Sequence, residues 1–199
     1  DKLAEEGFIM LDAPVMEWSR YVDFLKKTGM FEAKVSFTGK LEEIVSDMVQ
    51  DYYESKIKKI LVKSGLYEFE MIDIKKYMKH SEHILPYTLT GEPGLSTGAS
   101  LYHLADKYSG VINIGPFGCM NSRLTEAVAT FDMTADGKIE AAKRAGVKKD
   151  WSFLRESVDI LPFLSVESDG NPLSQILEAR FETFVLQANR LSEEIKKHK

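Results

Sequence analysis

The sequence predicts an α/β chain. An open, mostly parallel, Rossmann-like sheet with helices on both faces is expected over residues 81–199, preceded by a helix-rich N-terminal segment over 1–80. Three observations carry this reading. Two short apolar runs, Val111-Ile112-Asn113-Ile114 and Ile160-Leu161-Pro162-Phe163-Leu164-Ser165-Val166, each end in a turn-forming stretch, as buried parallel strands do. Helical periodicity flanks both runs, so from Ala99 onward the order is helix, strand, loop, helix, strand, loop, helix. Before residue 81 the readable elements are helical.

Taken in order, Trp18, Tyr21, Val22 and Leu25 recur at helical spacing between Met16 and Lys27, and Thr28-Gly29 supplies a stop. Leu41, Ile44, Val45, Met48, Val49, Tyr52, Ile57, Ile60 and Leu61 then share one face of a long helix, closed by Ser64-Gly65. A short helix follows over Ile72 to His80. The stretch from Ser81 to Gly98, with Pro86, Pro93, Gly91, Gly94 and Gly98, reads as a boundary or a site loop, and Ala99 to Tyr108 as the next helix. After the first strand, Asn121 or Ser122 caps a helix whose apolar positions are Leu124, Ala127, Val128 and Phe131. Residues 132–159, locally basic through Lys138, Lys143, Arg144, Lys148 and Lys149, read as a solvated insertion. Asn171-Pro172 opens the last helix, whose buried stripe is expected at Ile176, Leu177, Phe181, Phe184, Val185, Ala188, Leu191 and Ile195.

Composition excludes whole classes of function. Of 199 residues 44% are hydrophobic and 29% charged, with 26 Lys and Arg against 31 Asp and Glu, so the net charge is −5. Such a chain has enough apolar surface to fold, and no apolar run approaches the roughly 18–20 residues that span a bilayer. A membrane is therefore not an expected partner. Nor is nucleic acid, because no basic block precedes the terminal Lys196-Lys197-His198-Lys199. The lone cysteine, Cys119, excludes a disulfide framework and suits a reducing, cytoplasmic compartment. Without an initiating Met or a leader, the chain reads as a piece of a longer protein.

In open parallel sheets ligands collect beyond the carboxyl ends of the strands, and both unusual loops fall there. Gly115-Pro116-Phe117-Gly118-Cys119 leaves the first strand and Glu167-Ser168-Asp169-Gly170 the second. Cys119 is expected just before a helix N-terminus, where unpaired amides favour a thiolate; it would serve there as a metal ligand, a nucleophile or a redox thiol. The bland alternative is a small buried residue at a tight turn. A nucleophile needs a base, yet none of His80, His83, His103 and His198 follows an expected strand, which counts against a cysteine hydrolase. The 91–98 loop could cradle a phosphate through its glycines, although it lacks the Gly-Lys-Ser/Thr ending of a nucleotide-binding loop. Glu167 and Asp169 could act as acid and base, or as caps at a turn.

Gly110-Val111-Ile112-Asn113-Ile114-Gly115-Pro116-Phe117-Gly118-Cys119-Met120, then Pro162-Phe163-Leu164-Ser165-Val166-Glu167-Ser168-Asp169-Gly170-Asn171, then Ala179-Arg180-Phe181-Glu182-Thr183-Phe184 form a distinctive series. With Gly91-Glu92 and Thr97-Gly98 upstream, it resembles the end of the large CoA-substrate-specific enzyme activase proteins, relatives of the 2-hydroxyglutaryl-CoA dehydratase and benzoyl-CoA reductase subunits. The resemblance covers Ser81 to Asn189. It implies a domain of a multidomain iron–sulfur protein of anaerobic metabolism, in which ATP drives low-potential electrons toward CoA thioesters. It further implies that Cys119 ligates an iron–sulfur cluster, with Phe117 and Gly118 beside it, in the full-length protein or complex. A cubane is held mainly by several thiolates and this chain has one, so the other ligands are expected from the remaining domains of the same protein or from a dehydratase or activator component. The isolated chain is then expected to carry no cofactor and no activity, and no catalytic residue is assigned. The alternative is a structural or interaction domain in which Cys119 is a buried non-ligand.

Overall fold

The structure is a computed structural model and describes residues 2–30, 37–86, 88–89, 91–105, 108–170 and 174–198. It comprises two compact units, Asp1–Ile74 and Lys75–Lys199. The division runs at the start of the helix that the sequence joins to the N-terminal segment.

In the first unit, α1 (Lys2–Glu5) precedes α2 (Val15–Lys27) and α3 (Phe37–Leu61), and a single 3-10 turn over Val62–Ser64 ends at Gly65 with φ of 74°. Helices α2 and α3 meet through charge. Arg20 lies 2.6 Å from Asp51 and 2.5 Å from Glu54, Lys27 lies 2.6 Å from Asp47, and Gln50 donates to Asp23 at 2.8 Å. Glu54 is enclosed and also takes Lys58 at 2.7 Å and the Ile72 amide at 2.7 Å. Because this polar face is the one that packs, the apolar stripe expected to seek a core faces outward, with Ile44, Met48, Tyr52 and Ile60 each at least 57% exposed.

The second unit holds the α/β domain: α4 (Ile74–Ser81), α5 (Pro93–Leu104), β1 (Val111–Pro116), α6 (Met120–Asp132), α7 (Ala135–Ala145), α8 (Leu154–Ser157), β2 (Phe163–Ser168) and α9 (Gln175–Lys197). Among the described residues the sheet is one parallel pair, in register from Val111 opposite Phe163 to Pro116 opposite Ser168. Alternation along a strand sends successive side chains to opposite faces. Asn113 and Gly115 therefore meet α6 through Ser122, whereas the ring of Phe184 on α9 lies against Gly110 and Pro162 on the other face. Helices thus cover both faces, as the sequence predicts. No helix among the described residues is long and apolar enough to cross a membrane.

Four local expectations are corrected. First, α5 begins at Pro93, so Gly94 and Gly98 are helical residues and not part of a phosphate-cradling loop. A β-carbon on Gly98 would collide with the Tyr77 carbonyl of α4, and its absence lets α4 and α5 approach closely. Second, residues 132–159 are not a solvated insertion: α7 packs Ala141 and Ala142 into the core with Trp151, Leu154, Leu101 and Leu104. Third, α6 buries Ser122, Thr125 and Ala129, while Phe131 is 81% exposed. Fourth, α9 starts at Gln175 under Ser174, whose hydroxyl accepts from the Leu177 amide at 3.3 Å. Asn171 and Pro172 lie outside the described residues. Within α9, Phe184, Val185, Ala188 and Leu191 are buried as expected, but Ile176 is 77% exposed.

Candidate functional site

Parallel pairing brings the loop after β1 and the end of β2 to one end of the sheet. The Phe117 amide donates to the Ser168 carbonyl at 3.1 Å, extending the ladder into the loop. Gly118 then turns the chain with φ of 74°, a left-handed conformation that a side chain resists. The Cys119 amide closes the turn on the Pro116 carbonyl at 3.0 Å. Cys119 itself is the extended N-cap of α6, half-buried, with no capping hydrogen bond from its side chain. Its carbonyl takes the Arg123 amide at 3.0 Å and starts the helix.

Gly115 explains how close α6 comes. A β-carbon there would lie 2.6 Å from Cβ of Ser122, so only glycine lets the helix seat its first turn on β1. Nearby, the Asn113 side-chain amide donates to the Ser122 carbonyl and hydroxyl at 3.0 Å each and to the Ser165 hydroxyl at 3.2 Å. Asn113 and Ser165 are register partners, so this polar clasp joins β1, β2 and α6 at one level of the sheet. Sequence reasoning passed over it. The signal was a polar residue interrupting each apolar run, which becomes meaningful only once the register sets them side by side.

Arg123, one turn into α6, was missed as well. It engages Glu167 at the end of β2 with two donors, at 2.5 and 3.0 Å, and its guanidinium lies 5.8 Å from the centre of the exposed Phe117 ring. The Arg123 hydrogen bond holds the Glu167 carboxyl below the usual carboxylate range, and the Gly118 amide adds to this. Glu167 in turn raises Arg123. The ion pair therefore ties the first turn of α6 to the end of β2. Asp169 follows β2 as an exposed residue of the turn.

Beside this anchor, a cavity of about 500 Å³ lies between α6, β2 and α9, lined by Arg123, Glu126, Ser165, Glu167, Ser174 and Arg180. A second cavity of about 530 Å³, lined among others by Met133, Phe163, Ile176 and Phe184, shares Ile176 and Arg180 with it. The two form one groove along β2, polar at the end near Arg123 and apolar beyond.

The histidines have other places. His83 pairs with Asp132 at 2.7 Å, at the opposite end of α6 from Cys119, about 20 Å away along the helix axis. His80 is buried with Nδ1 2.8 Å from the Lys76 carbonyl, Nε2 of His103 lies 3.3 Å from the Tyr77 hydroxyl, and His198 stacks on Phe153. Among the described residues no group of three or more His, Cys, Asp and Glu is placed to hold a metal ion. Comparison with known protein families, curated proteins and solved structures finds no match.

Proposed function

We propose that the chain is part of an iron–sulfur, ATP-driven electron-transfer system acting on CoA thioesters, of the 2-hydroxyacyl-CoA dehydratase and activase type, and is inactive alone. The observation that carries this reading is the setting of Cys119. Half-buried, the residue stands at the carboxyl end of a parallel strand, at the N-cap of a helix, in a glycine-turned loop tied to the neighbouring strand. That end of a parallel sheet is where α/β proteins gather their ligands. The run from Gly110 to Met120, which carries the resemblance to the activase proteins, supplies the identity of the ligand.

The residues present do not fit a complete cluster. Clusters are held by several thiolates, and Cys119 is the one cysteine of the sequence. On this reading the domain contributes a single ligand, and the remaining domains of the same protein, or a dehydratase or activator component, contribute the others. Phe117 and Gly118 precede Cys119 in the loop: Gly118 makes the turn that ends at Cys119, and the Phe117 ring is 74% exposed. Arg123 and Glu167 fix the loop's position. The reading places the protein in the cytoplasm, with neither a membrane nor nucleic acid as its partner.

A second reading has a specific observation in its favour. Phe117 and Met120, on either side of Cys119 in the sequence, are 74% and 71% exposed, as an interaction domain with a non-ligand cysteine would have them. A visible spectrum of the protein with all its domains, purified without oxygen, separates the two. The electron-transfer reading expects broad iron–sulfur absorption that bleaches on reduction and is weakened by Cys119→Ser. The interaction reading expects no difference between that variant and the wild type.

A further inference from the structure

We infer that the chain associates with a second copy of itself through the outward face of α3, with the two helices antiparallel. Ile44, Val45, Met48, Val49, Tyr52 and Ile60 are between 49% and 67% exposed and follow one another along this 25-residue helix. The opposite face is already occupied, since Glu54 and Lys58 are buried and Asp47 and Asp51 pair with Lys27 and Arg20 of α2. The apolar stripe is therefore not the face that joins α3 to α2. Exposed apolar surface that is contiguous over several turns marks an interface.

Area and charge both favour a second copy as the occupant. Tyr53 and Ile57 adjoin the stripe at 54% and 53% exposure. With roughly 100 Å² open on each of the six stripe residues, a second copy buries about 600 Å² on each side and about 1,200 Å² in all, the low end of a specific interface. Charge is divided along the helix, with Glu42 exposed near its start and Lys56 and Lys59 exposed near its end. Antiparallel pairing sets the Glu42 end of one copy beside the Lys56–Lys59 end of the other, twice over by symmetry. Parallel pairing sets like charges together. A two-fold interface must be self-complementary, and a helix that exposes Glu42 toward one end of its apolar stripe and Lys56 and Lys59 toward the other meets that condition by itself.

Sedimentation equilibrium of the 199-residue chain tests this. The expected result is a dimer with a dissociation constant in the micromolar range or tighter, as interfaces of this area give. Met48→Lys, at an exposed position, is expected to leave the far-ultraviolet circular dichroism unchanged and to weaken association about tenfold or more. Glu42→Lys is expected to weaken it too, and Glu42→Lys combined with Lys59→Glu to restore it, a comparison that holds even if Met48→Lys disturbs the helix. A monomer at all concentrations overturns the inference, whether the stripe is then bare or covered by another partner. So does a dimer that none of these variants changes.

Discussion

Lys138 is fully enclosed on α7, where its ammonium donates to the Leu104 carbonyl at the end of α5 and lies 4.1 Å from the centre of the Trp151 ring. A cation suits the carbonyl end of a helix and the face of an indole alike. Lys138→Met keeps most of the stem but removes the donor, and is expected to lower stability by about 1–3 kcal/mol in urea unfolding, because the carbonyl loses its partner. Nothing in the sequence separates this lysine from its solvated neighbours, which is why the stretch reads as surface. His80 offers a pH test. Burial lowers its pKa from the ordinary 6.5, so the folded chain favours the neutral ring and the unfolded chain takes up the proton first. The stabilising contribution is whole above pH 6.5 and is lost as the pH falls through the lowered folded value. Urea unfolding over a series of pH values is expected to show a shallower acid limb in His80→Gln than in the wild type; equal slopes would remove His80 from the account. At Gly98, whose added β-carbon would meet the Tyr77 carbonyl, Gly98→Ala is expected to cost at least about 2 kcal/mol by the same measurement.

Elements differ in how far the sequence exposes them. Strands β1 and β2 were legible because β-branched and aromatic runs stop at glycine, proline and acidic residues, and the burial of Phe184 followed from a stripe of large apolar residues. Phe184→Ala is expected to cost about 3–5 kcal/mol in equilibrium unfolding, since the ring fills the space over Gly110 and Pro162. A loss under about 1 kcal/mol would mean that α9 is not seated on the sheet. Helix α7 was illegible because alanines and a lysine stem, not large side chains, form its buried face. Helix α5 was misread because glycine signals a turn in sequence but serves here for close helix approach. Periodicity found α3 but not the direction it faces; the opposing charges of Arg20, Lys27 and Asp23 on α2, which decide that, lie on another element.

At the scale of the molecule, an α-helical unit is followed by an α/β unit whose parallel pair presents its carboxyl end as a loop, an ion pair and a groove. The α/β class and the meeting of the two loops were readable from the order of elements alone, since two successive parallel strands send their following loops to the same end. The Arg123–Glu167 anchor and the Asn113 clasp were not, because each joins residues far apart in sequence whose spacing has no period. What the loop does with Cys119 is the central claim. Iron and acid-labile sulfide per chain, measured on the protein with all its domains after purification without oxygen, test it most directly. The account predicts that both are present in the wild type and fall in Cys119→Ser, while Phe131→Ser, at an exposed site at the far end of α6, keeps them. Unchanged iron and sulfide in Cys119→Ser, or their absence from the wild type, would contradict it.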